Sequence, residues 1–251
     1  KPLLGPNTAV VTAQNGLPWW YFHGFEGQYA DRRIESVDPG SRQWNAIGPE
    51  RVIGCTVYPA AEVEAPGVIH HISGDKFGLG EPKRTVTERA QKLSQLFESA
   101  GRKAPILPEI RNDIWLKLWG NLCFNPISAL THATLDVVAT DPGTRELSRN
   151  MMEEAERIAR RIGVHFRVDI ERRINGAARV GAHRTSMLQD VDKNRPIELD
   201  ALLTSVQELG RLTEVPTPHI NAVLALAKQM GRVRGIYPTF PEEKIPEVDT
   251  Y

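Results

Sequence analysis

The sequence predicts an α/β arrangement as far as Leu107 and an all-α arrangement after it. Three observations predict this. Short β-rich runs punctuated by Pro and Gly fill the first part. From Thr85 on, apolar residues recur at helical spacing almost to the end. One stretch, Asn112 to Ser128 (NDIWLKLWGNLCFNPIS), is apolar on nearly every side, as a buried helix is.

Composition sets the frame. The chain has 251 residues, 41% of them hydrophobic, with 31 acidic and 31 basic side chains. These values describe a soluble globular chain of one or two domains. A formal net charge of zero offers nucleic acid or a membrane surface no electrostatic attraction. No apolar run approaches a membrane span, and no signal peptide is read at the start. Cys55 and Cys123 make neither a disulfide framework nor a zinc pattern, which fits a reducing cytoplasm. The first residue is Lys rather than Met, so a piece of a longer chain is expected.

Taken in order, Thr8 to Ala13 (TAVVTA) reads as a short buried strand, with Gln14-Asn15-Gly16 turning at its C-terminal end. Ligands of doubly wound sheets lie just outside such strand ends. An isolated Asn-Gly is more commonly a plain turn. Pro18 to Gly48 is aromatic-rich, Gly-rich and without period, a long loop whose aromatics argue for a lid or an interface. From Arg51 to Glu81, the runs VIGCTVYPAAEV, VIHHISG and FGLGEP predict a strand followed by an antiparallel pair. His70 and His71 are adjacent on one strand, point to opposite faces and read as structural.

Thr85 and Glu88 form a capping box for a helix that Gly101 ends. Ala104 to Leu107, bounded by Pro, is the last predicted strand, and a domain boundary is expected near Pro108. After the Asn112–Ser128 helix, in which Pro126 implies a kink or a handover, Asp141-Pro142 starts another helix that Gly163 ends. Val168 to Val180 reads as a weaker helix with a solvated, Arg-rich outer side. Ser186 to Asp190 is a tight polar-apolar knot before a break at Asn194-Arg195-Pro196. A long helix then carries Leu199, Leu202, Leu203, Val206 and Leu209, with Glu198 in its first turn, where the helix dipole alone would favour a carboxylate. Thr217-Pro218 starts the last helix, through Met230, and 235–251 reads as a loosely held tail.

The chemistry-bearing pattern lies on the central helix. At about 100° per residue, Asn121 falls about 40° from Lys117 round the axis, Asn125 about 80° and Ser128 about 20°. These make one polar stripe on an otherwise apolar cylinder. A surface stripe would normally use Glu, Lys, Gln or Arg, because Asn is a poorer helix former. Two Asn above a single Lys suggest directed hydrogen bonds to a small polar molecule, although spacing alone leaves this even with a solvent face.

An NG turn after a strand, then IWLKLWGNLCFNPISALT, SMLQDVDKNRPIELDAL and a closing EVPTP, together resemble the ketopantoate reductase (2-dehydropantoate 2-reductase) family over essentially the whole chain. The resemblance implies a partial Rossmann domain over 1–108 and an all-α domain of the 6-phosphogluconate dehydrogenase C-terminal type over 109–234, with 235–251 as a tail. It implies NADPH-dependent reduction of a 2-keto acid to a 2-hydroxy acid, pantoate in the family, in pantothenate synthesis.

Position by position, Lys117 matches the family's catalytic lysine, and Asn121 and Asn125 match residues that hold the substrate. Ser186 matches a serine that contacts the substrate carboxylate. Asn15 and Ala60 match positions lining the nicotinamide, and Glu198 matches a glutamate at the cofactor ribose. A homodimer is possible. No G-x-G-x-x-G follows any strand, so the chain by itself is expected to bind NADPH poorly. Residues 131–138 read THATLDVV where many family members carry a further substrate-binding Asn. The alternatives from other classes are a related hydroxyacid or sugar-phosphate dehydrogenase and a non-catalytic helical dimerisation module.

Overall fold

The computed structural model describes residues 3–238. Most of the tail expected over 235–251 lies outside the described residues. Within it, Ile236 is buried and the Tyr237 hydroxyl donates to Asp200 Oδ1 at 2.8 Å.

A small sheet positions everything else. Strand β1 (Val10–Ala13) pairs in parallel with β2 (Val52–Val57), Val10 opposite Val52 and Ala13 opposite Cys55. On the other side of β2 lies β5 (Phe77–Gly80), antiparallel, with Gly54 opposite Gly80. Between them, β3 (Ala60–Ala65) and β4 (Val68–Ser73) form a separate antiparallel hairpin. The run VIGCTVYPAAEV therefore holds two strands, divided at Tyr58-Pro59. Ala104 to Leu107 joins β5 only by one isolated parallel bridge, Leu79 to Ile106, with Leu79 N donating to Pro105 O at 3.0 Å and Leu107 N to Leu79 O at 2.6 Å. Pro105 has no N–H to give back, which keeps this stretch from becoming a full strand.

The glycine pair across β2 and β5 decides how the helices meet the sheet. A Cβ on Gly54 would come within 2.6 Å of the Trp20 ring and 2.8 Å of Ile110 Cδ1, and one on Gly80 within 2.6 Å of Ile110 Cβ. Ile110 opens the long helix α3 (Ile110–Thr131), which is thereby set hard against the sheet. Pro126 neither ends nor divides α3.

Helix α1 (Arg42–Ile47) belongs to the aromatic stretch, and α2 (Glu88–Ser99) covers the sheet. The cap of α2 is Thr87, accepting from Ala90 N, rather than Thr85, because the chain enters the helix two residues later than the Thr85–Glu88 spacing suggests. Then follow α4 (Leu135–Thr140), α5 (Pro142–Arg161), α6 (Ile170–Ala178), α7 (Ser186–Asp192), α8 (Ser205–Leu212) and α9 (Pro218–Val233). The Asp141 cap on α5 forms as read, its side chain accepting from Thr144 N at 2.9 Å. The knot at Ser186 is a two-turn helix capped by Thr185. The helix expected to carry Leu199 begins with a π-type turn over Asp200–Thr204, and Glu198 sits just before it rather than inside it.

The aromatics of this stretch pack into the core rather than onto the lid or interface that they suggest in the sequence. Leu17, Trp19, Trp20, Tyr21 and Phe22 are fully buried and share one apolar cluster with α3, α5, α8 and α9. Its backbone lacks regular pairing, and side chains far along the chain satisfy it. Arg111, 3% exposed, donates to the carbonyls of Tyr21 at 2.8 Å, Pro82 at 2.6 Å and His23 at 2.6 Å. Glu208 accepts from Glu35 N and Ser36 N at 2.8 and 2.9 Å. Asp38 accepts from Gln43 N and Trp44 N at 2.8 and 3.0 Å, starting α1.

The helical part has its own buried anchor. Glu154 on α5, 1% exposed, accepts from His219 N at 2.9 Å, Ile220 N at 3.0 Å and His219 Nδ1 at 2.7 Å, closing the N-terminus of α9. Glu154→Ala strips three donors of a charged acceptor in a dry site, so a loss of about 3 kcal/mol is expected. Urea unfolding of the variant checks this, and a loss below about 0.5 kcal/mol, the level of an ordinary surface change, contradicts the anchor. Among the described residues no helix is long and apolar enough to cross a membrane, and no cluster of ligating side chains could hold a metal.

Candidate active site

The C-terminal ends of β1 and β2, the third turn of α3 and the segment from α7 to Glu198 enclose a cleft of about 460 Å³. Lys117 projects into it from the polar stripe of α3. Its Nζ donates to Asn15 Oδ1 at 2.8 Å and to the carbonyl of Val57, the last residue of β2. Asn15 in turn donates through Nδ2 to Glu198 Oε2 at 3.1 Å. One amide therefore bridges the amine and the carboxylate, and three segments far apart in sequence meet at it. The amine also lies 5.6 Å from the centre of the Tyr58 ring.

Burial costs the charged amine its hydration, and this lowers the Lys117 pKa from 10.5 to about 8. Cys55 and, after it, the Glu198 carboxylate act the other way. Cys55 itself is pushed up to about 11 by burial and stays a thiol near neutrality.

The turn that presents Asn15 is built by close approach. Gly16 has φ +76°, and a Cβ there would collide with the Ala201 carbonyl and lie 2.8 Å from Ala201 Cβ. That carbonyl accepts from Leu17 N at 2.9 Å and from the Ser205 hydroxyl at 2.8 Å, so the loop after β1 is locked onto the π-type turn that follows Glu198. Such turns are frequent at functional sites, because widening the helix re-aims its flanking residues.

Of the residues singled out in the sequence, Asn15, Ala60, Lys117, Asn121, Ser186 and Glu198 all line this cleft. Asn125 lines an adjoining cavity of about 310 Å³, where its Nδ2 donates to Ser186 Oγ at 3.4 Å. Asn121, His183 and Ser186 border both spaces. The fourth member of the stripe does not reach either. Ser128 is fully buried and donates to Ala133 O at 2.6 Å, holding the chain as it leaves α3.

Among the lining residues that sequence reasoning passed over are Tyr58, His183 and Arg173. Tyr58 could have been found from its place at the end of a strand, beside Pro59. His183 stands in an irregular stretch with no pattern to mark it. Arg173 belongs to the helix read as a solvated Arg-rich face, yet its guanidinium lies against Gly120 of α3 and lines the second cavity.

Chemically, the cleft offers a lysine able to release a proton near neutral pH, a carboxylate one amide away, and the uncharged Asn121 and Ser186 beside them, with Glu62, Asp190 and Arg195 also on its walls. That set suits a small polar molecule on which negative charge develops at one oxygen.

The sequence profile described as "Ketopantoate reductase PanE/ApbA C terminal" matches residues 109–231. The chain is 55% identical over 236 residues to a 2-dehydropantoate 2-reductase of Mesorhizobium japonicum, covering 94% of this chain and 72% of the relative. A crystal structure from Ralstonia solanacearum assigned as a ketopantoate reductase superposes with a TM-score of 0.89 at 40% identity, over 94% of this chain and 72% of that one. A D-mandelate dehydrogenase solved with NADH shares the fold, with a TM-score of 0.76 at 17% identity, over 92% of this chain and 73% of that one. The architecture is thus a Rossmann-type strand-bearing part with a C-terminal all-helical part, and the chain belongs to the ketopantoate reductase family of oxidoreductases.

Proposed function

We propose that this protein reduces a 2-keto acid to the 2-hydroxy acid with NADPH, ketopantoate to pantoate being the reaction its relatives' name suggests. The single observation that carries the reading is the half-buried Lys117 amine, with its pKa near 8, facing a cleft at the C-terminal ends of two parallel strands. Asn15 and Ala60 put an uncharged stretch on the cleft wall, which suits a nicotinamide ring. When bound, the cofactor supplies hydride to the keto carbon.

The chain's own residues do the rest. Lys117, as an ammonium, stabilises the negative charge growing on the keto oxygen and passes it a proton. Asn15 holds the amine through its Oδ1, so that Nζ reaches the cleft in one orientation. Glu198, tied to the same amide, favours the charged lysine against its desolvation and is available to the cofactor ribose. Asn121 and Asn125 orient the substrate without competing as acids, and Ser186 takes its carboxylate. The division at 1–108 and 109–234, a homodimer and a cytoplasmic setting, consistent with two buried free cysteines, complete the proposal.

The test is NADPH oxidation by the full-length enzyme against a panel of 2-keto acids, with Glu198→Gln alongside. Turnover of at least one acid is expected, together with a fall of about 10- to 100-fold in kcat/KM for Glu198→Gln. No turnover with any 2-keto acid, or an unimpaired Glu198→Gln, overturns the reading.

A further inference from the structure

The second cavity holds a cation without an anion. Arg173 on α6 lines it, half-buried, and among the described residues its side chain makes no hydrogen bond and no ion pair. Its neighbours are matched. Glu171 on the same helix is taken by Arg145 at 2.7 Å and Arg149 at 2.6 Å, and Arg167 is taken by Asp113. A partly desolvated guanidinium left unpaired is costly unless something else supplies the counter-charge.

The helix that faces it is shaped for it. Gly120 lies inside α3, where glycine costs about 1 kcal/mol relative to alanine. A Cβ there would collide with Arg173 Nη2, so the missing side chain is what lets the guanidinium lie against α3 beside Asn121. The remaining walls are mixed, apolar at Phe124, Leu135, Ala177 and Val180 and polar at Asn125, His183, Thr185 and Ser186.

The place of this cavity says which part of a substrate would fill it. It runs along α3 from Gly120 to Asn125, roughly 5–12 Å further along the axis than Lys117 at 1.5 Å per residue. A carboxylate bonded directly to the carbonyl at Lys117 stays within a bond or two of that carbon, near Asn121 and Ser186. Whatever reaches Arg173 is the far end of a side chain that has passed Asn121 and Ser186. The two spaces adjoin, with Asn121, His183 and Ser186 on the walls of both.

We propose that the preferred substrate is a 2-keto acid whose side chain ends in a second carboxylate, bound by the Arg173 guanidinium against Gly120. This rests on the reduction reading above, and within it sets a diacid ahead of the monocarboxylic ketopantoate that the relatives' name suggests. A guanidinium takes a carboxylate through two parallel hydrogen bonds, which a lysine ammonium cannot reproduce.

The test compares kcat/KM of the full-length enzyme for 2-keto dicarboxylic acids, 2-oxoglutarate and 2-oxoadipate, with that for monocarboxylic 2-keto acids of equal chain length. The wild type is expected to favour the diacids by about 10- to 100-fold, carried mainly by KM. In Arg173→Ala the ratio falls to near one, and Arg173→Lys restores part of it. Gly120→Ala, which spares the guanidinium but fills its resting place, lowers the ratio too. A wild-type ratio near one, or a ratio that Arg173→Ala leaves unaltered, overturns the proposal while leaving reduction of monocarboxylic acids standing. Absence of turnover with every acid removes the reduction reading and this one with it.

Discussion

Lys117→Met in the full-length enzyme is expected to lower kcat for keto-acid reduction by about 10³-fold or more while leaving the protein folded. The rate falls because the variant removes the amine that Asn15 aims into the cleft, the group assigned to hand the proton to the keto oxygen. Glu198 is held one amide away from the amine, and the Asn side chains do not ionise. Folding survives because the same burial that lowers the lysine's pKa to about 8 is a cost to the folded state.

The sign of that cost with pH is specific. Below about pH 8 both the folded and the unfolded chain hold the proton, and the burial cost is present in full. Between about 8 and 10.5 the folded state has shed it while the unfolded state keeps it, so this group's contribution to stability rises with pH in that window. Methionine removes the cost at every pH but leaves Asn15 Oδ1 and the Val57 carbonyl without their donor. A melting temperature within about 3 °C of the parent at pH 7 is expected from the two opposing effects. A variant that loses both activity and fold would make Lys117 a structural residue.

Gly16→Ala is the second large effect, and it acts without touching the chemistry. The alanine would have to hold φ +76° and push its Cβ into the Ala201 backbone. Left-handed strain and overpacking together give about 3 kcal/mol of destabilisation. The turn can relieve the collision only by withdrawing from the segment after Glu198, and that parts Asn15 from Glu198. A rise in the cofactor KM should therefore accompany the loss of stability. Gly27→Ala is the control, since Gly27 also has φ +68° but meets nothing within 4 Å, and it should cost about 1 kcal/mol with unchanged kinetics. Equal effects of the two substitutions would mean that the contact at Ala201 is unimportant.

How much of this could be read from the residues divides along physical lines. The central helix was legible because its apolar surface is nearly complete, and interruptions at Lys117, Asn121 and Asn125 stand out against it. The cap at Asp141 and the terminating Gly163, with φ +81°, were legible because capping is a local interaction.

The aromatic stretch was misread because its burial has no period. Its backbone is satisfied by Arg111 and Glu208, roughly 90 and 170 residues away, and no local pattern announces such partners. Ser128 fell on the stripe by angle, but angle does not say how far along the axis a cavity extends. Arg173 was hidden for the opposite reason. An arginine on a short, Arg-rich helix reads as solvated, and only the packing of α6 on α3 turns one of them inward. The Glu198 segment was placed within a turn of its true position, yet the π-type turn behind it comes from packing against the loop after β1, which sequence spacing does not encode.

The central claim is that the Lys117 amine gives its proton to the keto oxygen, and the pH dependence of kcat/KM tests it most directly. For reduction by the full-length enzyme, log kcat/KM should bend near pH 8 and fall with slope −1 above it, as the ammonium is lost. In Lys117→Met the residual activity should show no bend there. A wild-type profile that is flat from pH 6 to 10, or a variant that keeps the same bend, would contradict the assignment of the proton to Lys117.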